Sequence, residues 1–385
     1  MRIGIIGGGP AGLYFALLMK QQHPADEIRV YEQNPAGATY GWGVVFSDRA
    51  LSFLQEADPG SYADIERGLE TWDDQVIVHR GQPVRVDGIG FSGIARIELL
   101  RVLQVHCRRR GVELAFRTRV ADPAFLMSSC DLLVGADGVN SVVREAYREH
   151  FQPAVELLAN KYIWYGTPRL FDALTLTFRE NAAGAFVAHH YRYGPNGSTF
   201  IVECDGDTWA RAGLASKSED ESRRYCEELF REELGGRPLL TNRSAWISFR
   251  VVTNRRWSHA NAVLIGDALR TVHFSLGSGT RMALGDAIAL ARAFARHGQD
   301  VPAALRAFEA AHRPGVERFL EVARRSFRWY ERFRDKLHLD PLPFAYDYVM
   351  RSGRISHARL QARSPRFAAA YDAYWAARGS REPPD

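Results

Sequence analysis

Apolar residues at the start of the chain come first as a short run and then as a stripe. Residues 2 to 6 (Arg-Ile-Gly-Ile-Ile) read as a short buried strand. From Gly12 to Gln22 the positions Leu13, Ala16 and Leu17 recur at helical spacing. Glu27 to Glu32, rich in Ile, Val and Tyr, predicts a second strand. Strand, glycine turn, helix and strand form the opening unit of a doubly wound sheet. Helical spacing returns over Ile97 to Cys107. Leu114 to Val120 and Asp131 to Ala136 read as further strands, the second apolar enough to be buried on both faces.

From about Lys161 to Arg250 the pattern changes. Tyr162-Ile163-Trp164-Tyr165, Leu174 to Arg179, Ala185 to Tyr193 and Ser198 to Cys204 are aromatic and β-branched, and Gly194-Pro195-Asn196-Gly197 suits a hairpin turn. One helix interrupts them. Ser218 and Glu221 form a capping-box pair, and Tyr225, Leu229 and Phe230 supply its apolar side. Residues 262 to 267 return to the buried-strand pattern, and a long helix begins near Gly279. The remainder is helical to about Trp375, with a boundary near Pro341-Leu342-Pro343 and a frayed end from Gly379 to Asp385.

These elements predict an α/β chain of 385 residues. A Rossmann-like dinucleotide domain takes 1–75, 90–158 and 255–330. An inserted, mostly antiparallel β-sheet domain takes 76–89 and 159–254, and a helical C-terminal segment takes 331–385.

The formal charge of +5 raises the possibility of nucleic acid. The cations are scattered, however, and all but Lys20, Lys161, Lys217 and Lys336 are Arg, so an anionic cofactor or substrate accounts for the excess as well. No run of apolar residues is long enough to span a membrane. The opening residues leave no room for a secretory leader before Gly7. Cys107, Cys130, Cys204 and Cys226 show neither metal-ligand nor redox spacing, which suits a reducing cytoplasm. The expectation is a cytoplasmic monomer or homodimer with no metal, membrane or nucleic-acid partner.

Gly7-Gly8-Gly9-Pro10-Ala11-Gly12 fits GxGxxG. Its glycines serve the tight turn, the approach of backbone to pyrophosphate, and close helix–strand packing. Glu32, twenty residues beyond Gly12, stands where an acid accepts from a ribose hydroxyl. A second such unit is missing, because Gly88-Ile89-Gly90-Phe91-Ser92-Gly93 follows no convincing buried strand.

Two later segments narrow the class. Asp131 to Ser141, containing Asp137-Gly138 and followed by Arg144, resembles the "DG" motif of flavin-dependent aromatic hydroxylases. Gly266-Asp267-Ala268, running on to Gly277, Gly279, Asp286 and Ala287, resembles their "GD" motif. The resemblance implies FAD as cofactor, held by the glycine loop with Pro10 and Ala11, by Glu32 and Gln33, and by Gly43, Val44 and Val120. It places Asp267 on the ribityl chain, Arg96 on the pyrophosphate, and Leu276-Gly277-Ser278-Gly279-Thr280 at the flavin pyrimidine. It sets Asp137-Gly138 near the pyrophosphate, where they help place the nicotinamide.

Gly41 to Asp48, Asn160 to Thr167, Ser198 to Glu203 and His273 to Thr280 are similar to one subgroup. It comprises salicyloyl-CoA 5-hydroxylases, the monooxygenase half of 2-aminobenzoyl-CoA monooxygenase/reductases and violacein-pathway hydroxylases of protodeoxyviolaceinate. Arg354-Ile355-Ser356-His357 resembles the aryl-CoA branch. The chain departs from the wider class at Phe274, where a Pro is usual, and at Arg270, where a His is usual. It also lacks the second flavin barrel of the bifunctional enzymes, so no reductase activity of that kind is expected.

The implied activity is hydroxylation of an aromatic ring by O2 through a flavin C4a-hydroperoxide, with NAD(P)H as transient donor. An aryl-CoA thioester is the favoured substrate, and an indole or other natural-product aromatic is the alternative. A flavin reductase without oxygen insertion and a non-catalytic FAD-binding scaffold are the readings from other classes. His273 and His189 are the candidate catalytic residues. Trp164, Tyr165, Trp246, Phe274 and Ser275 are the candidate substrate contacts.

Overall fold

The computed structural model describes residues 1–47 and 51–379; residues 48–50, Asp48 of the sequence reading among them, and 380–385 lie outside the described residues. Arg2–Ile6 is the spine of a six-stranded sheet, parallel to Glu27–Tyr31 on one side and Leu132–Gly135 on the other. Glu113–Ala115 and Ala262–Leu264 extend it in parallel, and Ser258–His259 closes one edge antiparallel. All four residues of Leu132–Gly135 are buried, as a strand covered on both faces requires. The helix Pro10–Gln22 is buried from Pro10 through Met19 because Arg96–Arg109 and Gly279–His297 both pack against it. The strand expected over Leu114 to Val120 stops at Ala115. Arg117 takes a left-handed φ of 53°, and the chain wraps around Glu32, whose carbonyl accepts from the Thr118 N–H.

The second sheet has seven strands. Its order is Ile247–Asn254, Pro153–Thr167, Gly197–Cys204, Gly184–Gly194, Leu174–Asn181, Gln75–His79 and Gln82–Val86. All pairs are antiparallel except Leu174–Asn181 with Gln75–His79. The Gly194 to Gly197 turn closes the tight hairpin.

Alternation divides this sheet into two faces. Ile163, Tyr165, Phe186, Ala188, Phe200, Val202 and Cys204 point to one side. There the capped helix Glu219–Leu229 contributes Cys226 and Tyr225 to a dry core. Ile77, Leu176, Phe178 and Val187 point to the other, where the C-terminal helices cover them with Trp329, Phe344, Tyr348 and Phe367. Tyr162, Trp164, His189 and Glu203 lie further along this second face.

A three-stranded sheet of Gly43–Ser47, Phe91–Ala95 and Glu70–Trp72 sits between the two larger ones. The helix Val301–Arg332 joins the two halves. It sets Leu305 and Phe308 in the first core and Trp329 and Tyr330 in the second, over a length of about 48 Å. Among the described residues, no helix is long and apolar enough to cross a membrane.

Phe344 packs its ring 4.7 Å from Phe178 and 4.2 Å from His79, tying the C-terminal helices to the sheet. F344A should cost about 3–5 kcal/mol, read as a lower denaturant midpoint. An unchanged midpoint would show that this cluster does not hold the C-terminal segment.

Candidate active site

The glycine loop is shaped by contacts that leave no room for side chains. A Cβ on Gly7, at φ 109°, would lie 2.2 Å from the Ala136 carbonyl oxygen, and one on Gly12 would lie 2.2 Å from the Gly7 oxygen. Gly9 differs. It caps the helix Pro10–Gln22 with nothing within 4 Å of a would-be Cβ, so open space adjoins the positive end of that helix. Glu32 accepts from the Gly8 N–H at 2.9 Å, and its other oxygen accepts from the Asn34 N–H and Nδ2 at 2.8 and 2.7 Å. Gln33 is exposed beside it, and Val120 packs on the core below.

Arg96 opens its helix, with its N–H on the Trp42 carbonyl at 2.8 Å and its Nε on Thr39 Oγ1 at 3.1 Å. Burial lowers its pKa, and the nearby carboxylates of Asp267 and Glu32 oppose that shift, although neither comes within ion-pair distance. A guanidinium facing a cleft from between two acids, paired to neither, suits a diphosphate. Asp267 is open to solvent yet ringed by protein, and burial raises its carboxyl pKa against the pull of Arg96 and Arg270. It therefore lies on the floor of a cleft.

The two later motifs are bound to each other. Arg144 donates to the Val139 carbonyl at 2.6 Å and the Ala268 carbonyl at 3.1 Å. Asp137 turns its carboxylate inward to cap Val142–Ala146, accepting from the Val142 N–H at 2.6 Å. What faces open space at this motif is Gly138, at φ 79°. Gly43 likewise has its backbone engaged. Its N–H donates to Thr199 Oγ1 and its carbonyl accepts from the Tyr191 hydroxyl, both at 2.9 Å, while Val44 is buried in the core. Leu276 ends a short turn, and Gly277, at φ 58°, presses on Val45. The helix Gly279–His297 then begins, with Thr280 in its first turn and no side-chain cap on its amides. Uncapped first-turn N–H groups attract negative charge.

The substrate candidates divide. His273, Phe274 and His189 meet in an aromatic cluster with Tyr162, Phe249 and Tyr330. His189 stacks on Tyr330 and meets Phe274 edge-on, each at 5.2 Å. Phe274 lies 4.2 Å from His273 and 4.9 Å from Tyr162. Ser275 bonds Ser326 at 3.0 Å and gives its carbonyl to Arg351 at 2.9 Å. Trp164 lies on the cleft face but covers Gly41, while Trp42 covers Gly166 in return.

Tyr165 and Trp246 do not reach the cleft. One residue on from Trp164, Tyr165 points into the dry core. Trp246 packs beside it and lines a separate surface cavity of about 430 Å³ with Ile163, Trp209 and Leu214.

Glu203 is the main residue absent from the sequence-based list. It is buried, with Asn160 Nδ2 at 2.7 Å, His189 Nε2 at 3.3 Å and His273 Nε2 at 3.7 Å. Burial alone would raise its carboxyl pKa. The bond from His189, the charge of His273 and the Asn160 amide outweigh burial and hold it below the usual range. Burial drives His273 down to about 4 and pushes the Tyr162 phenol up to about 12. A lone acid ending the run Ser198 to Cys204, in phase with Thr199 and Ile201, was the available signal.

Comparison with known proteins fits this arrangement. Residues 91–323 match the family described as FAD binding domain. The chain is 40% identical to salicyloyl-CoA 5-hydroxylase of a Streptomyces species, over 97% of this chain and 74% of that protein. It is 37% identical to protodeoxyviolaceinate monooxygenase of Chromobacterium violaceum, over 91% and 94%. It is also 38% identical to 3-hydroxy-4-methyl-anthranilyl-(aryl-carrier protein) 5-monooxygenase of Streptosporangium sibiricum, over 87% and 90%. The chain belongs to the FAD-dependent aromatic monooxygenases. Its fold matches that of 2-methyl-3-hydroxypyridine-5-carboxylic acid oxygenase, with a TM-score of 0.70 at 19% identity over 94% of this chain and 95% of that one.

In this monooxygenase the unusual Arg270 forms a buried pair. It donates to both oxygens of Asp286 at 2.6 and 2.7 Å, while Asp286 also holds the Gly266 N–H at 2.8 Å and His312 at 2.9 Å. Burial alone would raise the Asp286 pKa, but Arg270 and His312 outweigh it and the carboxyl titrates below its ordinary value. Its contribution to stability is therefore full above the ordinary carboxylate range and lost as pH falls through the lowered native value. D286N should cost about 3–5 kcal/mol at neutral pH by stranding Arg270. That deficit should shrink as the wild type is acidified. Denaturant midpoints across pH check this, and a pH-independent deficit would contradict the pairing.

Proposed function

We propose that this monooxygenase uses NAD(P)H and O2 to hydroxylate a hydroxyl-bearing aromatic ring presented as an acyl thioester, in a reducing cytoplasm. The observation that carries the thioester reading is a set of arginines leading away from the flavin loop. Arg351 donates to the Ser275 carbonyl and stacks 3.8 Å over Tyr348. Three residues on, Arg354 is exposed over Phe319, and its charge acts on Arg281. Arg281 has a buried Nε without a hydrogen-bond partner among the described residues. Among the described residues, none of the three has a carboxylate within ion-pair distance. Such arginines suit phosphate, which the pantetheine arm of CoA and of carrier proteins supplies and a free aryl acid lacks. Two of the relatives above are named for thioester-borne aryl groups. The relative named for protodeoxyviolaceinate supports an indole-type ring as the second reading.

FAD, held by the residues described above, supplies the electron transfer and oxygen activation. The chain contributes the surroundings. With FAD bound, Arg96 and the helix at Gly9 would meet the cofactor's negative charge, and the amides at Gly279 would favour charge on the reduced ring. Tyr162, Phe249, Phe274 and Tyr330 give the substrate an apolar wall that keeps water from the reacting atoms.

A screen for substrate-stimulated NADPH oxidation with aryl-CoA thioesters, free aryl acids and indoles tests the reading. Aryl-CoA should stimulate most, with one hydroxylated product. Replacing Arg281 and Arg354 together by Met should raise KM for the thioester about tenfold or more. Stimulation by free acids or indoles alone would remove the thioester reading.

A further inference from the structure

The two cleft histidines are not equivalent. His273 has its acceptor nitrogen taken: Nδ1 accepts from the Ser275 N–H at 3.2 Å, which puts its proton on Nε2, 3.7 Å from Glu203 and beyond hydrogen-bond distance. His189 is engaged through its protonated nitrogen instead. Its Nε2 is 3.3 Å from Glu203 Oε2, and among the described residues Nδ1 has no hydrogen-bond partner. The His189 side chain remains 8% accessible between Phe274 and Tyr330, whereas that of Glu203 is 1% accessible. An anionic acceptor on Nε2 fixes the tautomer that leaves a lone pair on Nδ1.

We propose that His189 is the general base that takes the proton from a hydroxyl on the substrate ring, and that Glu203 is the positioning residue that fixes its tautomer. The proposal rests on the reading above that the ring carries a hydroxyl. The O–H bond breaks, the proton moves to Nδ1, and the bonding pair stays on the aryl oxygen. The ring becomes more electron-rich for attack on activated oxygen, and the new imidazolium is paired with Glu203. The new C–O bond forms as the O–O bond of the activated oxygen breaks; on regaining aromaticity the ring gives its own proton to the oxygen left by that cleavage, and His189 returns the first proton to the phenolic oxygen.

The groups facing His189 agree with this assignment. Glu203 lies on the adjacent strand, with Tyr162 beyond it. The flavin loop presents His273, and the long helix presents Tyr330, backed by Tyr348 and Arg351. Only Glu203 among them carries negative charge, and Asn160 Nδ2 holds its second oxygen at 2.7 Å. His190 projects to the opposite face, bonded to Thr177 at 3.1 Å and driven to about 3 by burial, so it does not compete.

The test binds a phenolic aryl thioester to the oxidised, FAD-loaded enzyme without reductant and follows the phenolate ultraviolet band against pH. In the wild type the bound phenol should ionise about one unit or more below its value in solution. H189Q should abolish that shift, E203Q should return it toward the solution value, and H273N should leave it in place whatever it does to turnover. H189Q should also lower kcat for the phenol by about 10²–10⁴-fold. The O-methyl ether, having no proton to give, should be affected little. If H189Q loses flavin, H189N and E203Q provide the same comparison. Unchanged ionisation in the His189 variants, or its loss in H273N alone, would overturn the assignment. Failure of every aryl thioester to bind would count against the substrate class instead. The same titration would then use whichever phenol the oxidation screen selects.

Discussion

The structure depends on the period-two alternation of one seven-stranded sheet, whose two faces have incompatible tasks. One face is sealed by the helix Glu219–Leu229 and must be dry. The other is shared between the C-terminal helices and the flavin cleft and must admit a polar reaction. Because neighbouring residues point oppositely, a single step along a strand changes a residue's role. His189 faces the cleft and His190 the core. Tyr162 and Trp164 face the cleft side, while Ile163 and Tyr165 do not. Glu203 faces the histidines and Cys204 the core. A one-residue slip of Gly197–Cys204 would turn Glu203 into the dry core, away from His189, and turn Phe200 and Val202 toward the cleft.

Burying Glu203 has an energetic consequence. An isolated carboxylate in such a place costs several kcal/mol, so it persists only where donors surround it. Asn160 and His189 supply hydrogen bonds, and His273 adds its charge-sensitive ring. The same logic governs Asp286, which draws together Arg270, His312 and the Gly266 N–H. One cluster holds His189 and His273 beside a buried carboxylate. The other fixes the strand end that presents Asp267 on the cofactor side. The helix Val301–Arg332 holds the two sides together, since His312 and Tyr330 lie on it.

Local chemistry made the cofactor half legible in the sequence. A GxGxxG turn, an acid at the end of the second strand, an arginine opening a helix and a capping box act through neighbours a few residues away. The substrate half was less legible because it depends on register and on which face another element covers. Nothing within Tyr162 to Tyr165 says which aromatic ring meets the cleft; the pairing of Tyr162 with Glu203 decides it. Glu203 reads as an ordinary strand end until its two histidines, one fourteen residues away and one on a distant loop, are brought to it. The backbone engagements of Gly43 and the inward turn of Asp137 were hidden for the same reason, since their partners are tertiary or set by a local helix cap.

The most direct test is a crystal structure of the FAD-loaded enzyme with its aromatic substrate. The ring should lie on the cleft face against Tyr162, His189 and Phe274, with the cofactor's phosphates beside Gly9 and Arg96. A ring bound instead in the far-face cavity of Ile163, Trp209 and Trp246 would contradict the account, because the face assigned to packing would then be the one that reacts.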